Sequence, residues 1–262
     1  MSPGTPRGRR TRLDVALVDR GLAPSRARAQ ALVMAGKVEV AGARVDKPGT
    51  QVSADTAIRL TGEQAGYVSR GGDKLAGALA AFASQGLRVD GKRAADFGAS
   101  TGGFTDCLLQ HGCAHVCAID VGYGLLHEKL RTDGRVTVLE RVNARETTVE
   151  MLGGTVDLVV VDASFIGLGK LIDAIQRVLH ADGELVALIK PQFEAGRREV
   201  SRGRGVIRDE HVRAQAIESV LQQLREAGLQ IVADAACVLA GPKGNVEHFV
   251  YARMPAGRRD VS

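Results

Sequence analysis

From Lys74 onward short apolar runs alternate with amphipathic stretches, and that alternation leaves the chain few architectures. The runs cover 93–97, 115–119, 136–140, 157–161, 184–190, 229–238 and 246–252; helical patterns cover 74–85, 103–112, 167–180 and 208–227. Strands and helices taken in turn build a parallel sheet clothed on both faces. The expected fold is therefore α/β, with a mostly parallel seven-stranded sheet, preceded by a small α+β domain. In such sheets ligands bind beyond the carboxyl ends of the strands. Five successive strand exits carry polar side chains: Asp96, Asp120, Asn143-Ala-Arg145, Asp162 and Lys190.

The first exit is the most specific. In Ala94-Ala-Asp-Phe-Gly-Ala-Ser-Thr-Gly-Gly-Phe104 an apolar run stops at Asp96, glycines 98, 102 and 103 bracket Ser100 and Thr101, and a helical pattern starts near Phe104. Glycine lets backbone pass close to a ligand. About twenty residues on, Asp120 ends a second run, where a carboxylate suits a ribose diol. An ATP-type phosphate loop needs Lys-Ser/Thr after its last glycine; here Phe104 and Thr105 follow. A dinucleotide fingerprint needs Gly-x-Gly-x-x-Gly, which Gly98-x-x-x-Gly102-Gly103 does not supply. Asp96 would repel a pyrophosphate but suit the sulfonium and ammonium of S-adenosylmethionine. The pattern resembles that of class I (Rossmann-like) methyltransferases. The plainer alternative is a strand-to-helix turn with glycines for packing.

Charge is unevenly placed along the 262 residues. Residues 1–62 hold 11 Lys and Arg against 5 Asp and Glu; the remaining 200 hold 24 against 25. A compact basic module beside a near-neutral one points to a polyanion, most simply nucleic acid. Aromatic residues make up 3% and tryptophan is absent, so base stacking is not expected to be the main binding mode. No apolar run is long enough to span a membrane. The arginine-rich N-terminus has no apolar core of the secretory kind, which implies a cytoplasmic protein. Cys107, Cys113, Cys117 and Cys237 show no zinc spacing and read as small buried residues in a reducing compartment. No metal is expected.

Within the basic module, Leu13, Ala16 and Leu17 recur at helical spacing up to Gly21. Ser25 is placed to cap a second helix, with Ala29, Leu32 and Val33 on one face and Gly36 as its stop. Strands follow near 37–40 and 57–60, separated by the turn Ala41-Gly42 and by Lys47-Pro48. Together with Arg12-Leu-Asp14, Ser25-Arg26 and Gly36-Lys37-Val38, these residues resemble the alpha-L RNA-binding motif. That resemblance implies that Arg12, Arg26, Arg28 and Lys37 meet RNA through phosphates and shape. The division expected is a basic tail (1–10), an RNA-binding domain (11–62), a linker (63–68), a methyltransferase domain (69–255) and a tail (256–262).

Four charged residues remain: Lys74 at the expected start of a helix, Asp162 and Lys190 at strand exits, and Glu247 interrupting the last strand pattern. Singly each reads equally well as half of a structural ion pair. With Val68-Ser-Arg-Gly-Gly-Asp-Lys-Leu75, Asp120-Val-Gly-Tyr-Gly124, Glu140-Arg-Val-Asn-Ala-Arg145 and Ile189-Lys-Pro-Gln-Phe-Glu194, they make the chain resemble the TlyA family of ribosomal RNA 2′-O-methyltransferases, within the FtsJ-like group. Phe97 departs from the small or aliphatic residue expected after the first acid.

The resemblance implies transfer of a methyl group from S-adenosylmethionine to a ribose 2′-hydroxyl, cytidine being favoured, on ribosomal RNA or ribosomal subunits. Lys74, Asp162, Lys190 and Glu247 would be catalytic. Lys190, beside Lys74, would act as base or steady the developing alkoxide; Asp162 would orient both lysines. Asp96, Gly98, Ser100, Thr101, Gly102, Gly103, Phe104, Asp120, Asn143 and Asp162 would hold the cofactor. Ser69 and Arg70 would border the RNA entrance. The Gly/Arg-rich stretch 194–205 reads as an exposed loop or as a lid on RNA phosphates. Two rivals stay open. A membrane-active haemolysin needs an apolar span or amphipathic surface helix, and liposome leakage would reveal it. An RNA-binding protein on an inert methyltransferase fold would bind RNA without transferring methyl groups.

Overall fold

The computed structural model describes residues 10–20, 22–23, 26–53, 56–60, 66–164, 166–195, 206–241 and 244–255, and of residue 28 only its place in a helix. The chain divides into two compact units between Gly66 and Tyr67.

The smaller unit carries helices Leu13–Asp19 and Arg26–Met34. Its three-stranded antiparallel sheet has the order Ala43–Arg44, Val38–Val40, Ile58–Leu60. The apolar face read from the sequence is its core: Leu13, Ala16, Leu17, Ala29, Leu32, Val33 and Val38 are buried together. A second pairing, Arg10–Arg12 with Gln51–Ser53, was not expected. Three-residue polar strands show no period-2 signal. Gly21 and Ser25 lie outside the described residues, as does the side chain of Arg28.

In the larger unit the elements run α1 (Arg70–Phe82), β1 (Arg93–Phe97), α2 (Gly103–Gln110), β2 (His115–Asp120), β3 (Val136–Glu140), β4 (Val156–Val161), α3 (Ile172–Val178), β5 (Leu179–Ile189), α4 (Glu210–Glu226), β6 (Gln230–Ala236) and β7 (His248–Arg253). The seven strands lie in the order β6-β7-β5-β4-β1-β2-β3. β5, β4, β1, β2 and β3 are mutually parallel; β7 runs antiparallel between β5 and β6. Successive side chains of a strand face opposite ways, so each strand feeds two cores. Ala95, Phe97, Val159, Val161, Ala187 and Ile189 pack under α3 and α4. Ala94, Leu158, Val160, Val186 and Leu188 pack under α1 and α2. Phe97 faces the first of these cores and is fully buried.

Two expectations shift. The helix read over 167–180 is a short 3-10 turn, Leu168–Leu171, followed by α3; Leu179 already begins β5. Helix α1 starts at Arg70, so Lys74 sits in its second turn rather than opening it. Gly71 and Gly72 lie in its first turn, and at Gly72 nothing larger fits. A Cβ at Gly72 would collide with the Tyr67 side chain. Tyr67 and Val68, in the stretch read as linker, pack against the second core, and Val68 N–H donates to the buried Asp106 Oδ2 at 2.9 Å.

Candidate active site

Strand register brings the site together. Phe97 pairs with Val161, Val161 with Ala187, and Ile189 with His248. The residues just beyond these pairs are Gly98, Asp162, Lys190 and, because β7 runs the other way, Glu247. One edge thus collects residues up to 149 positions apart in sequence, as the numbers 98 and 247 give.

The turn after β1 is held by backbone. Gly98 N–H and Ala99 N–H both donate to Ile119 O, at 2.9 and 3.1 Å. Gly98 has φ +89°, and a Cβ there would press on Asp162 O at 3.1 Å. Ser100 is left-handed at φ +49° and donates its N–H to Asp120 Oδ2 at 2.8 Å. Gly103 opens α2 where a Cβ would strike Ser69 Oγ and crowd the start of α1. These glycines allow two chain segments to cross at the turn.

Beside the turn lies a cavity of about 760 Å³. Its wall includes Ser69, Arg70, Lys74, Gly98, Ser100, Thr101, Gly103, Phe104, Asp162, Lys190 and Glu247. All four charged residues singled out from the sequence therefore face one space. They form two ion pairs. Lys74 Nζ lies 2.5 Å from Glu247 Oε2, with 9% and 1% of the side chains exposed. Lys190 Nζ lies 2.7 Å from Asp162 Oδ1, off the angle of a hydrogen bond. It donates to Ser164 Oγ at 2.8 Å and Asp162 O at 3.2 Å. Among the described residues Asp162 pairs with Lys190 alone, not with both lysines.

Other residues singled out from the sequence lie off the wall. Asp96 is fully buried beneath the turn, where its Oδ2 accepts from Thr105 N (3.0 Å) and Thr105 Oγ1 (2.7 Å). Burial pushes its carboxyl up to about 7; the Thr105 hydroxyl bond opposes the rise and Asp162 adds to it. Gly102 is buried against Leu126 and Leu130. Asp120 is engaged by Ser100 N–H and Gly122 N–H, and Asn143 Oδ1 accepts from Arg145 N–H. In the smaller unit Arg12 and Arg26 converge on Asp14, while Lys37 is exposed.

Ser164, Gln192, Phe193 and Asn245 also line the cavity and were not singled out in advance. Their signal was position: each lies within three residues of Asp162, Lys190 or Glu247 in sequence.

On the cavity wall the buried polar atoms without hydrogen-bond partners are acceptors, Gln192 Oε1, Glu247 Oε1 and the ion-paired Asp162 Oδ1; Asp96 Oδ1, beneath the turn, is another. A site of that kind suits a ligand bearing positive charge and N–H donors. No group of His, Cys, Asp or Glu among the described residues is arranged to hold a metal.

Residues 67–254 match the FtsJ-like methyltransferase family, and residues 11–58 match the S4 domain. The chain belongs to the FtsJ-like methyltransferase family. Among its relatives is the 16S/23S rRNA (cytidine-2′-O)-methyltransferase TlyA of Mycobacterium tuberculosis, 49% identical over 95% of this chain and 92% of that protein. Hemolysin A of Brachyspira hyodysenteriae is 39% identical over 92% of this chain and 98% of its own length. A solved structure from Lactococcus lactis, also described as a hemolysin, shares 41% identity with a TM-score of 0.70, over 74% of this chain and 91% of that one. No described helix of this FtsJ-like chain is long and apolar enough to cross a membrane.

Proposed function

We propose that this FtsJ-like methyltransferase methylates the 2′-hydroxyl of a cytidine in ribosomal RNA, with S-adenosylmethionine as methyl donor. The observation that carries the reading is the meeting of Lys74, Asp162, Lys190 and Glu247 on the wall of the cavity beside the glycine turn. The donor supplies an electrophilic methyl group on a cationic sulfur. Gly98, Ser100, Thr101, Gly103 and Phe104 shape the floor on which it lies. Asp120 serves its ribose and Asn143 the adenine side. Asp96 and the unpartnered acceptors balance its positive charge.

The four charged residues divide the remaining work. An ammonium has three hydrogens, and Lys190 has three acceptors around it. Its resting geometry suits stabilising negative charge on a target oxygen, with Ser164 Oγ the neutral partner most easily exchanged for that oxygen. The proton lost by the hydroxyl goes to the Asp162 carboxylate, the member of the pair with free lone pairs while Lys190 is an ammonium. Lys74, fixed by Glu247, keeps a second cation on the same wall. Preorganised charge of this kind lowers a barrier without reorganisation at the moment of reaction. Holding the hydroxyl in line supplies several kcal/mol more, on the order of 7–11 for well-oriented reactions. Ser69 and Arg70 border the entrance for RNA, and Arg12, Arg26, Arg28 and Lys37 of the smaller unit grip its phosphates.

The direct test maps 2′-O-methyl groups on 16S and 23S rRNA after incubation with the protein and S-adenosylmethionine. A methyl group on a cytidine ribose is expected; methyl groups only on bases, or none, would overturn the reading.

Asp96 gives a second measurement. Its carboxyl ordinarily titrates near 4 and here near 7. The protonated form is the one favoured by folding, so the stabilisation it brings is complete below about pH 4 and lost as pH rises through 7. A cation seated over the turn favours the carboxylate instead. Affinity for S-adenosylmethionine is therefore expected to rise between pH 6 and 7 and level off above, with proton release on binding. Calorimetric titrations across that range check it, and Asp96→Asn should flatten the profile.

A further inference from the structure

The smaller unit holds a buried acid that its basic character does not call for. Asp14 lies in the first turn of helix Leu13–Asp19 and is 0% exposed. Its Oδ1 accepts from Arg12 Nε at 3.0 Å. Its Oδ2 accepts from Arg12 Nη2 (3.0 Å), Arg26 Nε (3.1 Å) and Gln30 Nε2 (2.8 Å). The carboxylate is covered by these partners rather than by depth in the core. Three separate elements meet on it: strand Arg10–Arg12, helix Leu13–Asp19 and helix Arg26–Met34.

The arginines keep their outer parts in solvent, at 44% and 57% of the side chain. Each uses its Nε–H on Asp14, which fixes the plane of the guanidinium and leaves further N–H donors in that plane. A guanidinium held in plane meets a phosphate through two parallel hydrogen bonds. A free arginine must first give up its rotamer freedom. Arg12 holds the Asp14 carboxyl well below the usual carboxylate range, so the arrangement persists at any ordinary pH.

We infer that Asp14 is a positioning residue for RNA binding: an acid that strengthens contact with a polyanion by holding Arg12 and Arg26 in the orientation that meets phosphates. The inference rests on the RNA-directed reading above and adds to it a residue whose own charge opposes RNA.

That opposition makes the test sharp. Asp14→Asn removes a negative charge at constant shape. If charge alone governed binding, affinity for RNA would rise and its salt dependence steepen. Positioning predicts the reverse. In the full-length protein, binding to transcribed 16S and 23S rRNA at fixed salt is expected to weaken roughly 5- to 50-fold, the loss set by two freed side chains. A double-mutant cycle then separates positioning from folding. Arg26→Ala should weaken binding in the native background and much less in the Asp14→Asn background. Melting curves of each variant set a temperature at which all are folded. Should Asp14→Asn fold too poorly, Arg26→Lys, which keeps the charge without the planar fork, takes its place; it should weaken binding although Asp14 is intact.

Three results overturn the inference: equal or tighter binding by folded Asp14→Asn, Arg26→Ala losses that are the same in both backgrounds, or undiminished binding by Arg26→Lys. If the native protein binds neither RNA, the inference and the reading beneath it fall together. If the native protein binds and the cycle is additive, only the inference falls.

Discussion

Replacing Lys190 with alanine is expected to lower methyl transfer to ribosomal RNA by about 10²–10⁴-fold, the range for removing a positioned proton-transfer or charge-stabilising group. Binding of S-adenosylmethionine should persist, because the turn over Gly98–Gly103 is held by its own backbone bonds to Ile119 and by Asp120. The fold should tolerate the change. Asp162 keeps 22% of its side chain in water, so the carboxylate left behind is still solvated. Single-turnover assays with labelled donor, beside a calorimetric titration of the same variant, separate chemistry from binding. Full turnover by Lys190→Ala would remove it from the reaction.

The other ion pair should behave differently. Lys74→Ala leaves Glu247, 1% exposed and with Oε1 already lacking a partner, as an uncompensated buried charge. Breaking a buried pair in this way costs about 3–5 kcal/mol, and for a domain of this size lowers the melting temperature on the order of 10 °C. Replacing both members with apolar residues, Lys74→Met with Glu247→Leu, should recover most of that stability. It should not recover methyl transfer. Differential scanning calorimetry and the same transfer assay check the two halves. A double variant that regains both stability and turnover would show that the pair is only structural.

These two pairs also show what could be read from the sequence. Asp96, Asp120, Asp162 and Lys190 were legible because each ends an apolar run, and a charge at the end of a buried strand is conspicuous. From the residues alone their partners were not legible; the family resemblance supplied Asp162 for Lys190, and the structure pairs them. Lys74 and Glu247 are 173 positions apart, and only the antiparallel course of β7 brings them together. Sequence placed Lys74 at a helix start, whereas the helix begins at Arg70; the crowding by Tyr67 that requires a glycine at 72 is a tertiary fact. Asp96 was legible as an acid beside a glycine turn but not as one sealed beneath it, since depth depends on which face of β1 the helices cover. Ser164 and Gln192 gave no periodic signal at all. The ladder between Arg10–Arg12 and Gln51–Ser53 is too short and too polar to show in a pattern.

The place of β7 has a consequence for how the protein matures. Among the described strands it is the last to be synthesised, yet it sits inside the sheet, hydrogen-bonded to β5 on one side and β6 on the other. Until it emerges from the ribosome, β5 has an open edge, β6 has no neighbour and Lys74 has no counter-charge. A chain that stops short of Glu247 therefore lacks both the strand that joins β5 to β6 and the carboxylate that pairs with Lys74.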